Sequence, residues 1–178
     1  MRKPEDYAHY HNLEAYVFGE VGPRFRNVGL ITPKDFYILL IWKANRSKNK
    51  GRDRLKRLGK TFPKAVRSIS LSLKIAKCEK DRLRCLMEDW EFRLPVATAI
   101  LSVLYPEDFT IYDVRVCTEL GKFSSLAHRV FSDSLWCDYS LFKDAVTAAV
   151  PHKASLREKD HFLWGRSFYK GVSKNCAE

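Results

Sequence analysis

The sequence predicts an all-α protein, a compact array of about eight helices in one domain, from periodicity and from helix-start signals. Ala97, Ile100, Leu101 and Leu104 recur at i, i+3, i+4 and i+7, the spacing that places apolar side chains on one face of a helix. Thr32 stands directly before Pro33, with Asp35 in the first turn that follows, so a hydroxyl cap, a preset φ and an acid at the positive end of the helix dipole coincide. Ser155 and Glu158 form a capping box in SLRE.

The remaining elements follow in order. Residues 5–18 carry an aromatic-rich amphipathic pattern, and Gly19 and Gly22 are expected to end that first helix. The body of the second, FYILLIW after Thr32, has strand-like composition, but the cap and the length favour a buried helix. Residues 43–60 contain Asn45, Asn49, Gly51 and Gly59 and are expected to form a loop with at most a short helix over 52–58. Pro63 opens a helix reaching about residue 77, EKDRLRCLME forms another, and DWEFR makes a hairpin-like turn. The apolar helix through Leu104 should end near Tyr105, because Pro106 disfavours helical geometry in the residue before it. EDFTIY is too short and mixed for a further helix, and Asp113 is placed to open DVRVCTEL, where a carboxylate accepts backbone amide hydrogens. Asp138 is expected to cap DYSLFKDAVTAAV, which Pro151 stops, and the box at Ser155 opens a last helix through HFLWGRSFY.

A chain of 178 residues suits one domain with room for two lobes. Its net charge of +11 implies an acidic partner, with nucleic acid the natural candidate and a membrane surface or plain basic solubility the alternatives. Residues 43–60 hold nine Lys or Arg against one acid, Asp53, and so carry +8 of the total. A solvated basic face or a nuclear-type targeting run would look the same. DNA-backbone contact by Arg46, Lys48, Lys50, Arg52 and Arg54 is favoured, since phosphates relieve the self-repulsion of a dense single-sign cluster. Such contacts hold DNA without reading its sequence.

The five cysteines, Cys78, Cys85, Cys117, Cys137 and Cys176, are odd in number and include no CxxC pair, which points to reduced thiols and a cytoplasmic setting. The five histidines form no metal-ligand spacing with carboxylates or thiols. The longest apolar run, residues 36–42, is seven residues long, against roughly twenty for a bilayer span. The opening MRKPEDYAHYHNLE lacks the apolar core of an export signal, so neither a membrane nor secretion is expected.

On its residues alone, Asp113 is an ordinary helix cap. The stretch LPVATAILSVLYPEDFTIYDVRVCTEL, however, resembles the central part of the helix-hairpin-helix DNA glycosylase superfamily, in which an Ala-rich apolar helix, a short loop and an essential aspartate at the next helix follow one another. The sixteen-residue step from Ala97 to Asp113 matches that family's usual interval, and the resemblance covers residues 80–121. Two departures stand out. The family's Gly-hydrophobic-Gly hairpin corresponds here to Glu91, Phe92 and Arg93, which lack the glycines that let backbone amides approach a phosphate, although Arg93 supplies a positive charge. Pro95 stands where bifunctional members carry a Schiff-base lysine, so no amine is placed for strand cleavage.

The resemblance implies two helical lobes around a cleft and a monofunctional glycosylase that flips a damaged or modified base out of double-stranded DNA. Asp113 is the implied catalytic carboxylate, acting as a monomer without metal or organic cofactor. Four closely spaced C-terminal cysteines hold an iron-sulfur cluster in some members; this chain has only Cys176 there. Candidates for the base pocket are Trp42 and Lys43 with Asn45, the set Tyr7, Tyr10, His11 and Glu14, and Trp164 with Phe168. Phe92, Arg93 and Arg115 join the basic run as DNA-binding candidates, Arg115 having Glu119 one turn later as an alternative partner. The base itself, ordinary damage or a hypermodified phage base, is not written in these residues. A non-catalytic DNA- or RNA-binding protein that keeps Asp113 only as a cap is the runner-up; a nuclease is weaker, because no paired carboxylates have a convincing two-metal spacing.

Overall fold

In the computed structural model, which describes residues 4–176, helices and short connecting turns account for the architecture, and no strand occurs among the described residues. The chain separates into two units. One runs through Phe92 and takes in Val103–Tyr105; the other comprises Arg93–Ser102 and the chain from Pro106 onward.

In the first unit a 3-10 segment, Pro4–Tyr10, precedes α1 (Leu13–Tyr16), where the Asn12 side chain accepts the amide of Ala15 at 3.1 Å. A wide π-type turn, Val17–Val21, continues α1 directly into α2 (Gly22–Val28), which ends at Gly29 with φ +76°. The expected first helix over 5–18 is therefore corrected at both ends. Asn12 restarts the helix, and neither Gly19 nor Gly22 stops it. Gly22 is there for space, since a Cβ at that position would lie 2.4 Å from the carbonyl oxygen of Val103.

The second expected helix is found as α3 (Pro33–Ala44), with the amide of Asp35 donating to Thr32 Oγ1 at 3.1 Å and Phe36, Leu39 and Leu40 buried. Beyond a 3-10 turn at Asn45–Ser47, the basic stretch is not a loop. It forms α4 (Lys48–Gly59), three turns long. Leu55 anchors it, fully buried, and the two glycines mark close packing: a Cβ on Gly51 would touch Leu40 at 3.6 Å, and one on Gly59 would meet the Ala65 Cβ at 2.5 Å. The Thr61 hydroxyl accepts the Lys64 amide and starts α5 (Phe62–Ile75), which buries Ala65, Val66, Ile69 and Leu73 at i, i+1, i+4 and i+8. Then α6 (Glu79–Arg84) widens into a π-type turn over Cys85–Asp89.

α7 (Leu94–Leu104) stops one residue before Tyr105-Pro106, as the proline demands, and its residues through Ser102 belong to the second unit. There, α8 (Val114–Leu120) begins at Asp113 and ends at Gly121 with φ +69°. α9 (Asp133–Ala149) starts earlier than expected. Ser132, whose hydroxyl accepts the Leu135 amide at 3.1 Å, caps it, while Asp138 lies one turn inside and pairs with Arg129. α10 (Leu156–Cys176) opens on the reciprocal box of Ser155 and Glu158, with N–H to side-chain distances of 2.9 and 3.2 Å. Leu101, Phe109, Tyr112, Tyr139, Phe142 and Leu163 are all buried in this unit, the Tyr112 and Phe142 rings 5.2 Å apart.

Candidate functional site

Asp113 sits at the end of an irregular strap, Phe109–Tyr112, that is buried although it belongs to no regular element. Buried backbone of this kind needs partners, and side chains supply them. Tyr139 on α9 brackets Thr110, its hydroxyl donating to the Thr110 carbonyl at 2.8 Å and accepting the Thr110 amide at 3.2 Å. Asp160 on α10 accepts the Ile111 amide at 3.3 Å and the Thr110 hydroxyl at 3.4 Å, its own charge met by Arg157 at 2.7 Å. Thr98 on α7 accepts the Tyr112 amide at 3.0 Å and donates to the Leu94 carbonyl at 2.8 Å. Three helices thus fix the backbone that delivers Asp113.

Asp113 itself has extended backbone geometry, and its Oδ1 accepts the Arg115 amide at 3.0 Å, the arrangement of a helix N-cap. The residue is half-buried, with its carboxylate at the positive end of α8. Burial and the Cys117 thiol beside it push the Tyr112 phenol well above the ordinary range, so Tyr112 stays a neutral donor, and its hydroxyl donates to the Phe123 carbonyl at 2.6 Å.

In the first turn of α8, Arg115 lies over two rings of α10, 5.3 Å from the centroid of Trp164 and 5.4 Å from that of Phe168. Those rings are parallel to within 6° and exposed, Trp164 at 41% and Phe168 at 46%. The alternative partner for Arg115 is engaged elsewhere: Glu119 accepts from Arg166 at 2.5 Å and from Lys170 at 3.0 Å. Asp113, Arg115 and Trp164 therefore belong to one unit, while Tyr10, His11, Trp42, Lys43 and the basic helix belong to the other.

In that other unit, Tyr10 packs on Tyr16 at 5.0 Å with Lys34 Nζ 4.9 Å above its ring, and His11 is exposed. Trp42 sets its ring against the edge of Phe18 at 5.5 Å, and Lys43, beside it, is half-buried. Along α4 and its approach, Arg46 and Lys50 are exposed, Lys48 bonds to Asn45 at 2.7 Å, and Arg52 pairs with Asp53 at 3.0 Å. Asp35, read from the sequence only as an acid in the first turn of α3, is buried, accepts the Tyr16 hydroxyl at 2.7 Å and pairs with Arg24 at 3.2 Å, partners that no local spacing announces.

The hairpin-like turn joins helix and helix as expected, with Glu91 at φ +53°, the left-handed conformation that glycine adopts most readily. Phe92 is 3% exposed, packed against Phe36 at 6.2 Å. Its ring belongs to the core of this unit, so its side chain serves the packing of the turn. Arg54 donates to the Glu91 carbonyl at 2.5 Å and so serves the turn as well as the basic face. Arg93 is exposed and donates to the His128 carbonyl at 2.8 Å.

Among the described residues, no three His, Cys, Asp or Glu side chains gather as a metal ion would require, and no helix is long and apolar enough to cross a membrane. Cys85 and Cys117 are buried free thiols; burial pushes that of Cys85 up to about 11, away from nucleophilic use. No protein-family model, curated protein or solved structure matches this chain.

Proposed function

We propose that this chain is a DNA glycosylase of the helix-hairpin-helix type, monofunctional, with Asp113 as its catalytic carboxylate. The observation that carries the reading is the delivery of Asp113: a half-buried acid, on a backbone held by Tyr139, Asp160 and Thr98, at the mouth of a helix. Cleaving an N-glycosidic bond builds positive charge on the sugar, and a carboxylate that needs no rearrangement stabilises that charge and orients the attacking water. The left-handed residue at the first hairpin position and the absence of an amine at Pro95 agree with base excision without strand cleavage.

A base must leave the stack before it can be excised, and aromatic faces with a few directed polar groups receive it. Arg115, Trp164 and Phe168 supply such a surface in the same unit as Asp113, and the exposed cations of α4 supply the electrostatic hold on the DNA backbone. The substrate class is double-stranded DNA carrying a damaged or modified base, hypermodified phage bases included.

A second reading rests on the hydrogen bond from the Arg115 amide to Asp113, which by itself accounts for an aspartate at this position. In that reading the protein binds DNA or RNA without chemistry. The test is base release by wild type and Asp113→Asn on duplexes carrying oxidised, alkylated, deaminated and phage-modified bases. Release by wild type and none by a folded, DNA-binding variant supports the enzyme; equal binding with no release by either supports the binding protein.

A further inference from the structure

The cations of α4 are not equivalent. Lys50, Arg54 and Arg57 stand at i, i+4 and i+7 and share a face of the helix. Two of them already grip an anion. Arg57 donates to Glu91 Oε2 at 2.7 Å, Arg54 Nε lies 3.8 Å from the same oxygen, and Arg54 Nη1 donates to the Glu91 carbonyl at 2.5 Å. The anion is presented from a backbone with φ +53°, which disfavours any residue with a Cβ, and Arg54 holding the carbonyl compensates for that conformation.

A carboxylate and a phosphodiester offer guanidinium groups the same geometry, two oxygens for two parallel N–H donors. The present occupant is weakly held. The Arg57 side chain is 62% exposed and that of Glu91 46%, so solvent screens the pair. A duplex backbone brings more: it engages Lys50 on the same face and releases condensed counterions for each charge it meets.

We propose that Arg54 and Arg57 form a phosphodiester-binding fork that Glu91 occupies in the free protein and that a DNA backbone takes over by displacing the carboxylate. Glu91 is then an internal phosphate mimic. It masks one of the sites of highest charge density on the chain and discourages loose binding to any polyanion. Displacement leaves the carbonyl grip of Arg54 intact, so the turn keeps its shape while the side chain swings away.

The inference rests on the proposed DNA partner and not on chemistry at Asp113. The experiment is fluorescence anisotropy of a labelled duplex across a chloride series, with wild type, Glu91→Gln, Glu91→Gly, and Glu91→Gln combined with Arg57→Gln. Glu91→Gly takes a φ of +53° without strain and guards against a folding artefact. The expected result is binding tighter by about fivefold in both single variants, a log-log salt slope steeper by about one, and loss of the gain in the double variant. Folded single variants that bind no tighter than wild type, or a gain that survives Arg57→Gln, overturn the proposal. Base release by wild type without any effect of Glu91 would leave the glycosylase standing and remove the fork; a gain acting through Arg57 in a protein that releases no base would do the reverse.

Discussion

Asp160 Oδ2 accepts the backbone amide of Ile111 at 3.3 Å, 49 residues away along the chain and two residues before Asp113. A buried carboxylate on the last long helix therefore holds the segment that ends in the candidate catalytic acid.

Replacing that acceptor should be costly. Asp160→Ala leaves the Ile111 amide, the Thr110 hydroxyl and the Arg157 guanidinium without their buried partner, and breaking a buried ion pair costs about 3 kcal/mol or more. Urea unfolding should show the loss, and single-turnover base release by the folded protein should slow by more than DNA affinity weakens. Asp160→Asn keeps an acceptor for Ile111 and should retain more of both.

Asp113 serves α8 as well as the proposed reaction, and two substitutions separate the roles. Asp113→Asn preserves a side-chain acceptor for the Arg115 amide, so its stability should stay close to wild type while base release disappears. Asp113→Ala should lose about 1 kcal/mol of stability in addition, which a denaturant midpoint will register.

Glu119 makes stability depend on acid. Burial works against its carboxylate, but Lys170 and Arg166 outweigh burial and hold its pKa below the ordinary 4.5. A depressed folded-state pKa means that the unfolded chain takes up the proton first, so this contribution is complete above about pH 4.5 and is lost as pH falls through the folded value. Urea midpoints measured downward from neutral pH should fall more steeply in wild type than in Glu119→Gln below pH 4.5. Parallel curves would show that the pair adds nothing.

Trp164 offers a spectroscopic handle. A base stacked on its exposed face should quench its fluorescence, and that component should vanish in Trp164→Phe while the signals of Trp42, Trp90 and Trp136 persist. Trp164→Ala should weaken binding to a strand with an unpaired base by about 1–3 kcal/mol.

What could be read in the sequence was local. Thr32 with Asp35, Ser155 with Glu158, and Pro106 after Leu104 act over four residues or fewer, and each stands in the structure where its spacing implied. The misreadings have a common origin in tertiary packing. Gly51 and Gly59 resembled loop residues because their use, close contact with Leu40 and Ala65, depends on other helices. Asp138 looked like a cap until Ser132, six residues earlier, took that place. The strap's supports lie far apart along the chain, so no local pattern links Thr98, Tyr139 and Asp160. One signal was available: Asp160 falls between Leu156 and Leu163 on the apolar stripe of its helix, where an acid needs a buried partner.

The widened turn at Val17–Val21 stores one residue more than regular helical pitch requires. Each residue in a regular helix advances the side chains by about 100°, and here the wide turn absorbs that advance locally. Excising the exposed Gly19 would let the turn close to regular pitch with the helix beyond it still facing the same way, so Gly22 would keep its place against the carbonyl of Val103, where a Cβ has only 2.4 Å. Loss of one residue from the regular turns on either side has no such slack to draw on and would turn Gly22 away. Relatives of this chain should therefore shed a residue inside this turn far more readily than beside it.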